Sequence, residues 1–140
     1  MNRSDPIFDA VTAPGTPFEL GVRDGMRRFV NAPSDINQML DTARRHGDRI
    51  CVVEEGVRLS FEELFARRDA LTAILDIVRG DRVAICMRNR SEWMIAFLAV
   101  LHCGGIAALV NSRGAPRELR AAIEDVSPAV VLADDERRVL

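Results

Sequence analysis

Lysine and tyrosine are absent from these 140 residues, and all 19 cationic side chains are arginine. Without an ammonium side chain the polypeptide supplies no Schiff-base amine and no phosphate-gripping lysine of the G-x-x-x-x-G-K-[ST] kind. Cysteine is scarce. Cys51, Cys86 and Cys103 are odd in number and widely spaced, with no C-x-x-C or Cys/His ligand pattern, which argues against a zinc site or a disulfide framework. Each lies in an apolar run, where a reduced, buried thiol behaves as a small hydrophobe. Long hydrophobic runs are missing as well. The longest, Trp93 to Leu101, is too short to span a bilayer, so no transmembrane segment is expected. The first residues do not show a basic-then-apolar signal pattern, and a cytoplasmic location is expected. Neither sign of charge dominates: the net charge is −2 and the pI about 5.7, so nothing global favours nucleic acid or an anionic membrane.

What is present suits a globular protein, with 48% hydrophobic and 29% charged residues, enough for one domain or part of a larger one. Residues 1–33 hold Pro6, Pro14, Pro17 and Pro33 and no sustained period. They read as an extended N-terminal arm with short strands around 18–22 and 27–30. Arg23, Arg27 and Arg28 there read as a solvated face.

From residue 34 to 140 the pattern becomes regular. In "SDINQMLDTARRHGD", Ser34 is positioned to cap a helix whose Ile36, Met39, Leu40 and Ala43 form one apolar stripe, closed by His46 and Gly47. "ICVVEEGVRLSF" reads as a β-hairpin turning at Glu55-Gly56. Ser60 and Glu63 then form a capping box for a second helix, with Leu64, Leu71, Ile74 and Leu75 inward and Arg67-Arg68 outward. "RVAICM" is nearly continuous in apolar residues, as a parallel strand covered on both faces requires. It is followed by a helix capped by Ser91 and stopped at Gly104 or Gly105, apolar on almost every side and therefore buried. "IAALV" reads as a second buried strand, "PRELRAAIEDV" as a short helix with Pro116 in its first turn, and "AVVLAD" as a third strand. This β-α-β-α-β alternation predicts an α/β fold with three parallel strands in one sheet.

Open α/β sheets place ligands in the loops after their strands. Here these are "RNRSE" and "NSRGAP", arginine and small polar residues beside helix starts, a possible anion cradle. Neither is the G-x-G-x-x-G fingerprint, which disfavours an independent nucleotide-binding module. Cys103 adjoins His102, but neighbouring helical side chains diverge by about 100°, so a buried structural thiol is expected. His46 reads as structural, and Trp93 and Met94 as core. Glu54-Glu55, Glu124-Asp125 and Asp134-Asp135-Glu136 read as hydration and capping. No catalytic residue and no metal ligand can be assigned.

The ordered elements resemble the beginning of the adenylate-forming acyl-CoA synthetases, and among them the long-chain fatty acid–CoA ligases. "TPFEL…GMRRFVNAPSDINQMLDTARRHGDR" is similar to their lead-in. "LSFEEL" is similar to an early Leu-Thr/Ser-Tyr-x-Glu-Leu element, with Phe61 at the aromatic place. "GDRVAICMRNRSEWMIAFLAVLHCGGIAALVNSRGAPREL" carries Asn89, Glu92, Gly104, Asn111 and Glu118 at the recurring positions, and "AVVLADDERRVL" continues it. Ala115 replaces a usual Thr or Ser N-cap, so that helix start is expected to be frayed by about 1 kcal/mol. Val110 replaces a usual proline or leucine.

The resemblance implies a family reaction in which a fatty acid and ATP give acyl-AMP, then acyl-CoA, with ATP, Mg²⁺ and coenzyme A as participants. The Ser/Thr/Gly-rich phosphate loop of the family is not found among these residues, so the chain alone is expected to be an inactive N-terminal portion that binds none of them strongly. By the same resemblance Arg137 and Arg138 stand near the place where some CoA ligases contact the coenzyme A phosphates. The alternative is a non-catalytic module that forms a homo-oligomer through an exposed sheet edge or apolar face.

Overall fold

The computed structural model describes residues 5–138. Contacts divide the chain into two compact units, one up to Met39 and one from Leu40 onward.

The first unit is less extended than its prolines suggest. Asp5 caps a short helix, α1 (Pro6–Val11), by accepting from the Ile7 N–H at 2.9 Å, with Pro6 at the first helical position where a missing N–H costs nothing. Two strands follow, β1 (Leu20–Arg23) and β2 (Met26–Phe29), paired antiparallel with Leu20 opposite Phe29. They match the strands expected near 18–22 and 27–30. Asp24 and Gly25 form the turn with φ of 55° and 76°, the left-handed pair that a two-residue hairpin requires. The Leu20 N–H donates to the Thr12 carbonyl and the Asn31 amide to that of Thr16, which closes the segment on itself.

The helix read over 34–47 is split. α2 (Ile36–Asp41) passes into a 3₁₀ segment (Thr42–His46) that ends at Gly47 with φ 50°. Its cap is Asp35, which accepts from the Asn37 N–H at 2.6 Å, rather than Ser34. Ile36 and Met39 are exposed; Leu40 and Ala43 are the half-buried members of the expected stripe.

β3 (Ile50–Glu54) and β4 (Val57–Ser60) form the anticipated hairpin around Glu55-Gly56. α3 (Phe61–Ile74) begins with the anticipated box: the Glu63 N–H donates to Ser60 Oγ at 3.1 Å and the Ser60 N–H to Glu63 Oε2 at 2.8 Å. Its inward face differs from expectation. Arg68 is buried beside Leu64 and Phe65, whereas Ile74 is 79% exposed.

β5 (Arg82–Cys86), α4 (Ser91–His102), β6 (Ile106–Leu109), α5 (Pro116–Val126) and β7 (Val130–Ala133) complete the β-α-β-α-β unit. The sheet is parallel in the order β6-β5-β7, with Val83 opposite Ala107 on one side and Val130 on the other. β5 lies in the middle, and Val83 to Cys86 are at most 1% exposed. β6 is an edge strand, so its expected burial is only partial: Ile106 and Leu109 are 54% and 56% exposed.

α4 is the core of this unit. Ile95 and Leu98 pack with Leu59 and Leu64 from the hairpin and α3, while Ala96 and Val100 pack on Val83 and Ile85 of the sheet. Residues of a strand alternate in direction, so Ala84 and Cys86 face the side covered by α5. α4 starts one residue earlier than its serine suggests. Arg90 is the N-cap and Ser91 the first helical residue, whose N–H donates to Glu54 Oε2 at 2.7 Å. The stop is a Schellman motif, with the Gly104 N–H on the Leu101 carbonyl and the Gly105 N–H on that of Val100. At α5, Ala115 offers no side-chain cap, but its N–H is taken by Glu118 Oε2 at 3.0 Å, which supplies half of the missing box.

Candidate functional site

The two arginine-bearing loops picked out in the sequence stand side by side. The turn after β5 and the turn after β6 open onto one cleft of about 800 Å³ at the carboxyl ends of the strands. The β3–β4 turn, Glu54 and Glu55, forms part of its rim, and Glu136 after β7 another part. Trp93 lines a wall while stacking on Phe97 at 5.4 Å with planes 4° apart. That indole is half-buried, so it belongs to the cleft as well as to the core, and Met94 beside it is exposed.

The cleft holds three arginines, Arg88, Arg90 and Arg113. Arg88 Nε lies 3.9 Å from Glu136 and Arg90 Nε 4.0 Å from Glu54, long contacts in which only Glu54 is largely shielded from solvent. The Arg113 side chain makes no ion pair among the described residues. Three of the backbone donors are already committed. The N-terminal amide of α4 is held by Glu54, the Arg88 N–H by Asp134 Oδ2 at 2.9 Å, and the Arg113 N–H by Asn111 Oδ1 at 3.1 Å. At these three positions an incoming anion meets guanidinium groups rather than a free amide. Glu54 was legible only as a capping residue; that it caps a helix 37 residues away needed the fold.

Arg137 and Arg138, adjacent in sequence, have different surroundings. The Arg137 side chain is 7% exposed, with Nη1 2.7 Å from both Asp134 oxygens and Nε 2.7 Å from the Ser112 carbonyl. Arg138 is 76% exposed, and its carboxylate neighbour Asp135 is 3.9 Å away. Burial by itself would raise the Asp134 pKa, but the Arg137 guanidinium and the Arg88 amide outweigh it and hold the carboxyl below the usual range.

The other candidates are dispersed. Cys103 is half-buried at the end of α4, less buried than expected, and His102 is exposed. His46 packs on the Phe61 ring at 4.9 Å with Arg49 Nη1 3.4 Å from its Nδ1, a structural setting. Burial raises the pKa of Cys51 and Cys86 and keeps both as thiols. Among the described residues no group of His, Cys, Asp or Glu is arranged to hold a metal ion, and no helix is long and apolar enough to cross a membrane.

Residues 39–140 match the family described as AMP-binding enzyme. A long-chain-fatty-acid–CoA ligase of Haemophilus influenzae is 32% identical over 121 residues, covering 74% of this chain and 22% of that protein. A 2-succinylbenzoate–CoA ligase of Bacillus velezensis is 28% identical over 103 residues, covering 71% of this chain and 21% of its own length. Among solved structures, the N-terminal subdomain of Klebsiella oxytoca NpsA in complex with anthranilyl-AMSN superposes with a TM-score of 0.67 at 24% identity, covering 73% of this chain and 28% of that one. The chain thus spans about a fifth of the length of these curated relatives. With the fold, the order of its elements and the family match in agreement, the chain belongs to the AMP-binding, adenylate-forming enzymes and corresponds to an N-terminal portion of one.

Proposed function

We propose that this chain is the supporting first part of a fatty acid–CoA ligase, the enzyme class that joins a carboxylate to AMP and then to coenzyme A. The carrying observation is the family match over residues 39–140 on a parallel sheet whose carboxyl-end cleft bears arginines. These residues do not fit ATP or Mg²⁺, because the sequence has no glycine-rich phosphate loop and the described residues hold no cluster of metal donors. A phosphate group of coenzyme A, in this reading, meets the Arg137–Arg138 turn at the end of β7, where Arg138 is exposed and Arg137 is held by Asp134. In this reading the chain performs no bond-making step: it positions loops and offers charge, and it works in the cytoplasm with its three thiols free.

Two measurements test it. In a chimera, residues 40–140 replace the matching segment of the Haemophilus influenzae ligase, and fatty-acid-dependent ATP–pyrophosphate exchange is expected to survive within about tenfold. A folded chimera without exchange would overturn the reading. The 140-residue chain by itself is expected to show no exchange and to sediment as a monomer; turnover would refute its inactivity. A defined dimer would favour the second reading, a non-catalytic module pairing through the exposed Ile106 and Leu109 of edge strand β6.

A further inference from the structure

We propose that Asp134 and Arg137 are a positioning pair that ties together the three loops at the carboxyl ends of β5, β6 and β7, leaving Arg138 as the member of the cationic turn that meets a ligand phosphate. The identity of that ligand rests on the coenzyme A reading above; the tie itself does not.

The geometry is specific. Asp134 follows β7 directly and accepts the Arg88 N–H, which anchors the loop after β5. The same carboxylate accepts the Arg137 N–H at 3.2 Å and both close contacts of Nη1. Arg137 then carries the connection onward, because its Nε donates to the Ser112 carbonyl in the loop after β6. One carboxylate and one guanidinium thus join three segments that have no ladder or helix bonds of their own at these points. The task needs arginine. A planar fork donates from two separate nitrogens, Nε and Nη1, in fixed directions, whereas a lysine ammonium carries its three donors on one atom.

Burial separates the roles further. Arg137 is nearly enclosed with Nε and Nη1 both committed, so a phosphate would have to compete with a close, largely desolvated pair. Arg138 faces solvent, with a wide contact to the fully hydrated Asp135 that holds it only weakly. The Arg88 guanidinium remains available to the cleft, since the tie engages its backbone and not its side chain.

The experiment uses the full chain and two readouts. Amide hydrogen exchange over residues 88–90 and 111–114 reports the loops, while Trp93, the single tryptophan, reports the cleft through its emission as coenzyme A is titrated to millimolar concentration. Arg137→Ala and Asp134→Asn are each expected to speed exchange in both loops at least tenfold, with protection of β5 unchanged as the control for folding. Arg137→Lys is expected to keep the first loop protected and to lose the second, because donors on one atom do not reproduce the separate positions of Nε and Nη1. Arg138→Ala is expected to leave both loops as they are and to weaken the coenzyme A response about tenfold, with Arg138→Lys restoring most of it. Loop exchange unchanged in Arg137→Ala overturns the tie, and retention of both loops in Arg137→Lys overturns its need for a fork. A coenzyme A response lost in Arg137→Ala with both loops still protected overturns the division of roles. A wild-type chain that gives no response removes the coenzyme A reading, while the exchange data still decide the tie.

Discussion

A guanidinium with 1% exposure inside α3 is the residue whose behaviour departs furthest from its type. Arg68 donates to Asp69 at 2.6 Å and to Asp41 at 3.3 Å, and its charged plane lies 4.8 Å from the Phe65 ring. Arg44 covers that ring at 4.6 Å and shares both aspartates, so two cations and two carboxylates alternate around one aromatic. A cue was present in the sequence, because Leu64, Arg68, Leu71 and Leu75 recur at helical spacing and place the arginine on the apolar stripe. The identity of the residue hid what its position showed. Arg68→Ala is expected to cost about 2–4 kcal/mol, since it removes buried packing and leaves two carboxylates near each other. Arg67→Ala, on the exposed side, is expected to stay within about 0.5 kcal/mol. Urea unfolding of the two variants checks this, and equal midpoints would show that Arg68 contributes little. Caps were legible in proportion to how many residues had to agree. Ser60 and Glu63 confirmed each other, whereas Ser34 beside Asp35, and Ser91 following Arg90, left a one-residue choice that only the backbone resolved.

Elements were legible where a pattern determined them and less so where neighbours did. Buried strand β5 and buried helix α4 were evident from their continuous apolar runs. β6 carries a similar run, but in a sheet of three strands two must be edges, and sequence cannot say which. The Asp24-Gly25 dipeptide between β1 and β2 is a strong hairpin signal that the surrounding prolines masked. The end of α4 gives the clearest test at this scale. Gly104 has φ 75°, and a Cβ there would sit 3.2 Å from Arg79 Cγ. Gly104→Ala is expected to destabilise by about 1–2 kcal/mol, through left-handed strain at the Schellman stop. Thermal unfolding that matches the wild type would mean that this stop is not under constraint.

Across the whole molecule, the family was readable from the order and spacing of weak elements, while the cleft was not, because its walls come from four separated turns. The loops "RNRSE" and "NSRGAP" were identified as candidates from topology alone; that internal carboxylates fill their amides depended on contacts from Glu54 and Asp134. The same ionic ties shape the response to pH. For Asp69, burial alone raises the pKa, but the guanidinium bonds of Arg68 and Arg44 outweigh it, and its folded value lies below normal, as does that of Asp134. A depressed carboxylate stabilises above its unfolded pKa, near 4, and that contribution disappears as pH falls through the folded value. The thiols of half-buried Cys51 and buried Cys86 act in the opposite direction: their raised values give stability that is lost as pH climbs above about 8.5. The unfolding midpoint is therefore expected to be flat between about pH 5 and 8 and to fall on both sides. Asp69→Asn should reduce the acid-side slope, and an unchanged slope would remove Asp69 from the account.

The bond from Glu54 to the start of α4 has a mechanical consequence. It joins the end of β3 to the first turn of α4, so a rim of the cleft and one of its walls are held by a single carboxylate. Loss of that one carboxylate would free both together.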